Sequence, residues 1–289
     1  MAHNLLIFGY GYTSRALSIK LVKQGWSISA TTRKVAKLDL MTKDGITPLL
    51  WGDSENLLKV ALSANVVLIS TPPEKNLDPV ISEFENLFAS FGHLNWIGYL
   101  SSTSVYGNYF GSWVDEKSPL LSKTEMGQNR KKAEENWAAL SKRIKVPLHI
   151  FRLSGIYGPG RNPFQRLKAG SAQNIVKEGQ FFSRIHIDDI VQILSIALGR
   201  PLKNMIYNLS DELPASSSEV ILEASRLLGV LPPRPINIGD LNLSDKVQSF
   251  YADTKKVNGE RLLRELDYKL LHPNFRSGLK DILDRENFK

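Results

Sequence analysis

Two glycines spaced i, i+2 in Leu5-Leu6-Ile7-Phe8-Gly9-Tyr10-Gly11-Tyr12-Thr13-Ser14 are the residues best placed by type and spacing to do chemistry. An apolar run that ends in such a pair and passes at once into a helix-like stretch, Ala16 to Gln24, reads as strand, tight turn, helix. Gly9 allows the turn, and Gly11 lets a pyrophosphate approach the backbone. The N–H groups and dipole of the helix N-terminus, at Tyr12, Thr13 and Ser14, then face the anion. Ser14 stands where this fingerprint usually has a third glycine; it is small enough for the helix still to pack near the strand. A second signal lies at Thr31-Thr32-Arg33-Lys34, the end of an alternating stretch from Trp26. A NAD site usually has an acid here for the ribose hydroxyls. Two cations suit a 2′-phosphate instead, so the expected cofactor is NADP, with NAD as the second option.

The elements that must position these residues alternate. Val35 to Asp44 reads as a short helix and Ile46 to Trp51 as a strand, irregular or beginning at Pro48. Ser54 is the expected cap of a helix from Glu55 to Ser63. Asn65 to Ser70 is a continuous apolar strand of the kind buried in a parallel sheet. A helical stripe runs from Asn76 to Phe91, and Trp96 to Leu100 is the next strand. This order predicts an α/β fold, a doubly wound parallel sheet whose ligands bind at the carboxyl ends of the strands. Asp53, Ser70, Thr71 and Ser101 lie at such ends and complete the predicted cofactor contacts with Thr32, Arg33 and Lys34. Further on come a polar loop over Asn108 to Lys123, a charged helix over Thr124 to Lys145 and a strand over Pro147 to Leu153. Arg184 to Ile187 is a short strand, and Asp188 is the expected cap of a helix over Ile190 to Leu198. Ile206 to Leu209 is a strand, Ser216 to Leu228 a helix, Leu231 to Asn237 a proline-rich connector. Gly259 to Leu266 and Phe275 to Asp284 are helices.

Composition narrows the class. With no cysteine among 289 residues, disulfides, thiolate nucleophiles and cysteine metal sites are excluded, and a cytoplasmic location is expected. Met1-Ala2-His3-Asn4 leads straight into the first strand, so no signal peptide is expected. No apolar stretch approaches the ~20 residues of a membrane span. The net charge of +8 is spread along the chain. It suits an anionic small ligand, and neither nucleic acid nor membrane is expected as a partner. His3, His93, His149 and His272 are scattered without ligand spacing, so no metal is expected.

Several motifs then fall into one order: the glycine turn, Ser101-Ser102-Thr103-Ser104-Val105-Tyr106-Gly107, Arg152 to Gly160, Arg184-Ile185-His186-Ile187-Asp188-Asp189, and Tyr207-Asn208-Leu209. The chain resembles the extended or atypical short-chain dehydrogenase/reductase superfamily, its NAD-dependent epimerase/dehydratase-like branch. Within it, the stretches Trp113 to Glu116 and Phe182 to His186 are similar to an atypical bacterial group of unassigned function. The resemblance implies a Rossmann-like cofactor domain over 1–153 and 188–213, and a smaller substrate lobe over 154–187 and 214–289. A homodimer through the helices Asn76 to Phe91 and Thr124 to Lys145 is implied by analogy alone.

The resemblance also implies a Ser/Thr, which is Ser102, and a Tyr with a Lys four residues on. Here the chain departs. Counting back from Ala133-Glu134, the Tyr slot holds Met126 and the Lys slot Arg130. Methionine cannot donate a proton, whereas Arg130 could still hold a ribose. Candidate acids are Tyr106, Tyr109 and Tyr157, with Tyr157 first because Gly158-Pro159-Gly160 should turn the chain beside the nicotinamide. Thr103-Ser104 replaces the dehydratase Asp-Glu pair, and Gly155 and Phe182 replace the Asn and Arg of nucleotide-sugar enzymes. The expected substrate contacts are Tyr106, Arg161, Arg184 and His186, in a basic setting with Arg166 and Lys168. The expectation is an NADP-dependent oxidoreductase acting on an anionic small molecule with a non-standard donor; the alternative is a silent NADP(H) sensor.

Overall fold

A computed structural model of the chain describes residues 3–74, 77–199, 203–241 and 251–286. The Met1-Ala2 start and the expected helix start at Asn76 lie outside them. β1 (Asn4–Phe8) leads to α1 (Tyr12–Lys23), β2 (Ser27–Thr32), a 3-10 turn at Val35–Lys37 and α2 (Leu38–Lys43). β3 (Thr47–Leu50), α3 (Ser54–Ser63), β4 (Val66–Ile69), α4 (Pro79–Phe84) and β5 (Trp96–Ser102) continue the alternation. Then come β6 (Trp113–Val114), α5 (Glu125–Ile144), β7 (Leu148–Leu153), β8 (Gly155–Tyr157), α6 (Phe164–Lys168) and β9 (Asn174–Val176). β10 (Arg184–His186), α7 (Ile187–Leu198), β11 (Met205–Leu209), α8 (Ser217–Leu228), β12 (Pro235–Asn237), β13 (Lys256–Val257), α9 (Glu260–Leu266) and α10 (Phe275–Arg285) follow.

Seven strands form one sheet in the order β11-β7-β5-β4-β1-β2-β3. β3, β2, β1, β4 and β5 pair in parallel, each with its neighbour. This is the doubly wound, Rossmann-like α/β architecture. All four residues of β4 are buried, as a strand covered on both faces requires. β3 ends the sheet, which is why Pro48 is accepted opposite Ala30. β1 pairs with β2 on one side and β4 on the other, so the strand order reverses at β1, the point where such sheets bind ligands.

Several element ends differ from expectation for local reasons. α1 starts at Tyr12, before Ala16, because Gly11 is already an extended N-cap. Asp53, not Ser54, caps α3; its carboxylate accepts from the Asn56 backbone N–H at 3.2 Å. The stretch Val35 to Asp44 divides into the 3-10 turn and α2. The stripe through Phe91 divides into α4 and a 3-10 segment, Glu85–Ala89. Asp188 is not a cap: α7 already begins at Ile187, and Asp188 offers its own backbone N–H to His186 Nδ1 at 3.2 Å. The proline connector contributes β12, paired with β9.

The chain divides into two compact units. The first comprises Met1–Ser102, Glu125–Arg152 and Val191–Tyr207. Its core packs Phe8, Phe84, Phe88, Tyr99 and Trp137 among aliphatic side chains from the sheet. The second comprises Thr103–Thr124, Leu153–Ile190 and Asn208–Lys289. It is built on three short parallel pairs, β8 with β10, β9 with β12 and β6 with β13. Tyr157, Phe164, Ile221, Phe275, Leu279 and Ile282 form its main core. α8 is bounded by a reciprocal Ser216–Glu219 capping box and by Gly229 in the left-handed conformation. Among the described residues no helix is long and apolar enough to cross a membrane.

Gly98 in β5 has no room for a side chain. A Cβ there would lie 2.2 and 2.5 Å from ring atoms of Trp96. Trp96 itself packs against the rings of His149 and Phe151. Gly98→Ala is therefore expected to lower stability by about 1–3 kcal/mol. A shift of the urea midpoint at unchanged slope measures it; no shift would show that the Trp96 ring yields.

Candidate functional site

The first unit carries the glycine turn at the switch point. Gly9 has φ +96°, and a Cβ on it would stand 2.9 Å from Thr71 Cγ2 and 3.2 Å from Thr71 N. Left-handed backbone and close approach both demand glycine there. The turn is clasped from inside by Ser14, which is fully buried. Its Oγ accepts from Gly11 N–H at 2.7 Å and donates to Gly9 O at 2.8 Å. Ser14 thus does more than substitute for a small glycine; it holds both glycines of the turn together. Thr31 Oγ1 accepts from Gly9 N–H at 2.9 Å, so the end of β2 is tied to the same turn. α1 starts at Tyr12 with no acid in its first turn, which leaves the positive end of its dipole uncompensated. Thr13 is buried beside it, and Ser70 and Thr71 flank Gly9 at the end of β4.

Beyond β2, the two expected cations differ. Arg33 lies 4.9 Å over the Trp51 ring and pairs with Glu74 at 3.0 Å, both partners exposed. An exposed pair of this kind contributes little, so exchanging Glu74 for a phosphate costs little. Lys34 is exposed, its backbone N–H held by Thr32 Oγ1. Asp53 is taken up in capping α3. A residue missed in sequence closes this edge. Asp44 accepts from the Tyr10 hydroxyl at 2.9 Å and from Arg15 Nε at 2.7 Å. The Arg15 hydrogen bond, aided by Tyr10, holds its carboxyl below the usual range.

The face of α5 where the resemblance implies the catalytic pair is occupied differently. Met126, Arg130 and Glu134 recur at intervals of four, one above another. Met126 is exposed. Arg130 Nη1 donates to Leu100 O at 2.7 Å and approaches the Tyr99 hydroxyl at 3.3 Å, at the end of β5. Glu134 is buried and takes a bidentate bond from Arg152, with Nη2 to Oε2 at 2.7 Å and Nε to Oε1 at 3.1 Å. Ser101 Oγ donates to the same carboxylate at 2.6 Å. Ser101 therefore belongs to a buried network. Ser102, next to it, closes β5.

In the second unit the structure assigns most candidate residues internal partners. The Tyr106 hydroxyl donates to Asn208 Oδ1 at 2.7 Å, and that of Tyr109 to Pro119 O at 2.7 Å. Tyr157 is buried with its hydroxyl 3.3 Å from Asn274 O. Burial, with Asp211 nearby, pushes it far above the ordinary tyrosine range, which makes it a weak proton donor. Arg184 is half-buried; its guanidinium reaches the carbonyls of Phe182 and Ala215 at 2.8 Å and Ser216 at 3.3 Å. Arg161, Arg166 and Lys168 are exposed. His186 is buried, and desolvation with His272 beside it lowers it to about 3.

One acid was not singled out in sequence. Asp211 is 2% exposed, and burial raises its carboxyl to about 8, Arg184 only partly opposing. It lines a cavity of ≈ 280 Å³ with Trp113, Ser210, Glu212, Asn258 and Gly259 among others. A carboxyl protonated at neutral pH can donate a proton. None of the expected cations lines this cavity.

A solved structure of a functionally unknown conserved protein from Silicibacter pomeroyi DSS is 39% identical to the chain, covers 98% of both and superposes with a TM-score of 0.90. The chain belongs to that protein's family. Protein YeeZ of Escherichia coli (strain K12) is 25% identical over 282 residues, 93% of this chain and 96% of the relative. dTDP-glucose 4,6-dehydratase from Bacillus anthracis str. Ames, solved in complex with NAD, is 17% identical and covers 99% and 97% of the two chains; its TM-score of 0.79 shows a shared fold. No family model matches the chain.

Two predictions follow from these networks. Arg152→Met strands a buried carboxylate and is expected to lower stability by about 3–5 kcal/mol, while adding Glu134→Met recovers most of the loss. Equal destabilisation in the single and double variants, by urea unfolding, would show that the pair is not coupled. For Asp211, the folded carboxyl keeps its proton after the unfolded one has lost it. Its burial therefore erodes stability as pH rises from about 4 towards about 8. Asp211→Asn is expected to raise Tm at pH 8, to leave it unchanged near pH 4, and to flatten the slope between.

Proposed function

We propose that the first unit binds NADP at the Gly9 turn and that the protein is an NADP-dependent oxidoreductase lacking the usual Tyr and Lys pair. The observation that carries the reading is the left-handed Gly9 at the strand-order reversal, with Thr71 packed against it and an uncompensated helix N-terminus beginning at Tyr12. The shared fold with a dehydratase solved in complex with NAD supports a dinucleotide. Arg33 supports the phosphorylated form, since its only charged partner among the described residues is an exposed glutamate. Thr32, Arg33 and Lys34 would face the 2′-phosphate, and Arg130 the ribose.

When bound, the nicotinamide supplies or accepts hydride. The protein must then position a carbonyl or hydroxyl and move one proton. Ser102 is proposed to orient the reacting oxygen. Within the second unit, burial raises Asp211 to about 8 and Tyr157 far above the ordinary tyrosine range, so of the two Asp211 is the group able to release a proton near neutrality. The silent-sensor reading is favoured by one observation: Arg130, in the lysine slot, is fixed on Leu100 O while the tyrosine slot holds an exposed methionine.

Calorimetric titration is expected to show tighter binding of NADP than of NAD. Arg33→Ala should weaken NADP about tenfold, roughly 1.4 kcal/mol, and leave NAD unchanged; equal affinities in the native protein would refute the role of Arg33. NADPH oxidation over a panel pairing phosphorylated sugars and keto acids with neutral parents separates the two readings. Turnover abolished in Asp211→Asn supports the enzyme and its donor. Tight binding without turnover on any member supports the sensor. Preference for the phosphorylated members supports an anionic substrate bound near Arg161.

A further inference from the structure

The second unit gathers two histidines and two aspartates that lie far apart in sequence. His186 ends β10, Asp188 opens α7, His272 precedes α10, and Asp281 lies within α10. His186 is 0% exposed and His272 9%, and their ring centroids are 4.0 Å apart. His186 Nδ1 and His272 Nε2 each stand 3.8 Å from Asp188 Oδ2, and His272 Nε2 is 3.9 Å from Asp281 Oδ2. His272 Nε2 is buried without a hydrogen-bond partner.

These separations discriminate between occupants. Direct hydrogen bonds would bring the atoms within about 3.2 Å, and a bridging water would hold them about 4.6 Å apart. Four ligands arranged tetrahedrally at 2.0–2.1 Å around Zn²⁺ lie about 3.3 Å from one another. The observed gaps are too long for direct bonds and closer to the metal spacing than to the water spacing. The neighbourhood also fixes the ligands. Asp189 accepts from the Tyr268 hydroxyl at 2.7 Å and from the backbone N–H groups of Leu271 at 2.7 Å and His272 at 3.1 Å, so the loop that presents His272 is held in place. The other side of the His186 ring meets Tyr157 edge to face at 5.0 Å.

From this geometry we infer that His186, Asp188 and His272, whose ligand atoms all lie within 4.8 Å of one another, form a site for a divalent transition metal of the zinc type, with Asp281 beside His272 as a further carboxylate. Two imidazoles and two carboxylates are a donor set that Zn²⁺ accepts. Binding requires two rearrangements: His186 Nδ1 gives up the Asp188 backbone N–H that it accepts at 3.2 Å, and Arg285 leaves. Arg285, half exposed, now neutralises both acids, with Nη2 2.6 Å from Asp188 Oδ2 and Nε 2.9 Å from Asp281 Oδ2. The metal displaces it into solvent and takes over its charge, joining the end of β10 to α10.

The test uses the untagged, full-length protein freed of metal by chelation and titrated calorimetrically with ZnCl₂, with Tm followed in parallel. One equivalent of Zn²⁺ is expected to bind and to raise Tm. His272→Gln should weaken binding at least tenfold. Arg285→Gln, an exposed change that leaves all four side chains in place, should tighten it severalfold. Co²⁺ in place of Zn²⁺ should give the intense visible absorption of a tetrahedral centre. No saturable binding and no rise in Tm at about 100-fold excess of Zn²⁺ would overturn the proposal. So would equal affinity in the native protein and His272→Gln, or, should that variant not fold, unchanged or weaker affinity in Arg285→Gln.

Discussion

The buried pair of Glu134 and Arg152 is the interaction on which the first unit's site geometry depends. It ties α5 to β7 and, through Ser101, to the end of β5. Two opposite charges in an apolar core cost several kcal/mol each to desolvate, so only good geometry sustains them. The bidentate fork and the serine hydroxyl provide it. Once Glu134 is fixed, Arg130 is fixed one turn before it and reaches Leu100 O. The pair therefore sets the rotation of α5 about its own axis, and with it which residues face the end of β5.

The glycine turn obeys a similar logic of internal pairing. In the usual fingerprint, three glycines remove side chains so that strand, turn and helix can close up. Ser14 reaches the same closure by adding a hydroxyl that both accepts and donates inside the turn. The turn is thereby fixed by hydrogen bonds before any ligand arrives. Thr31 adds a further tie from β2. A preorganised turn loses less conformational entropy when an anion binds, which favours affinity without any new contact.

Local patterns made the first unit legible. The period-two and period-3.6 alternation, the apolar β4 and the pair Gly9 and Gly11 specify strand, turn and helix within a few residues, and the structure places them at the order reversal. Helix ends were less legible because caps compete over one or two positions: Asp53 won over Ser54 through a carboxylate that reaches Asn56. The second unit was harder because its partners are distant in the chain. Nothing near Asp211 in sequence announces its burial, and His272 lies 86 residues from His186. One signal was available: Arg152 is a lone cation inside the apolar run Leu148-His149-Ile150-Phe151-Arg152-Leu153, and a buried cation demands an acid. Glu134, on the helix face shared with Ala133 and Trp137, was the one to look for.

For a dinucleotide bound as proposed, the same pairing separates holding it from acting on it. In a tyrosine and lysine pair, one cation both binds ribose and lowers the tyrosine pKa, so binding and proton transfer are coupled on one helix face. Here that face keeps a fixed charge at Arg130 and carries no titratable hydroxyl at Met126. Arginine cannot lose its proton, so it can position but cannot relay. Any proton transfer must therefore come from a group whose own surroundings set its pKa. Burial does this for Asp211, and the nearby Arg184, bound to three carbonyls, opposes the shift only in part. Desolvation, more than any neighbouring charge, is what raises Asp211.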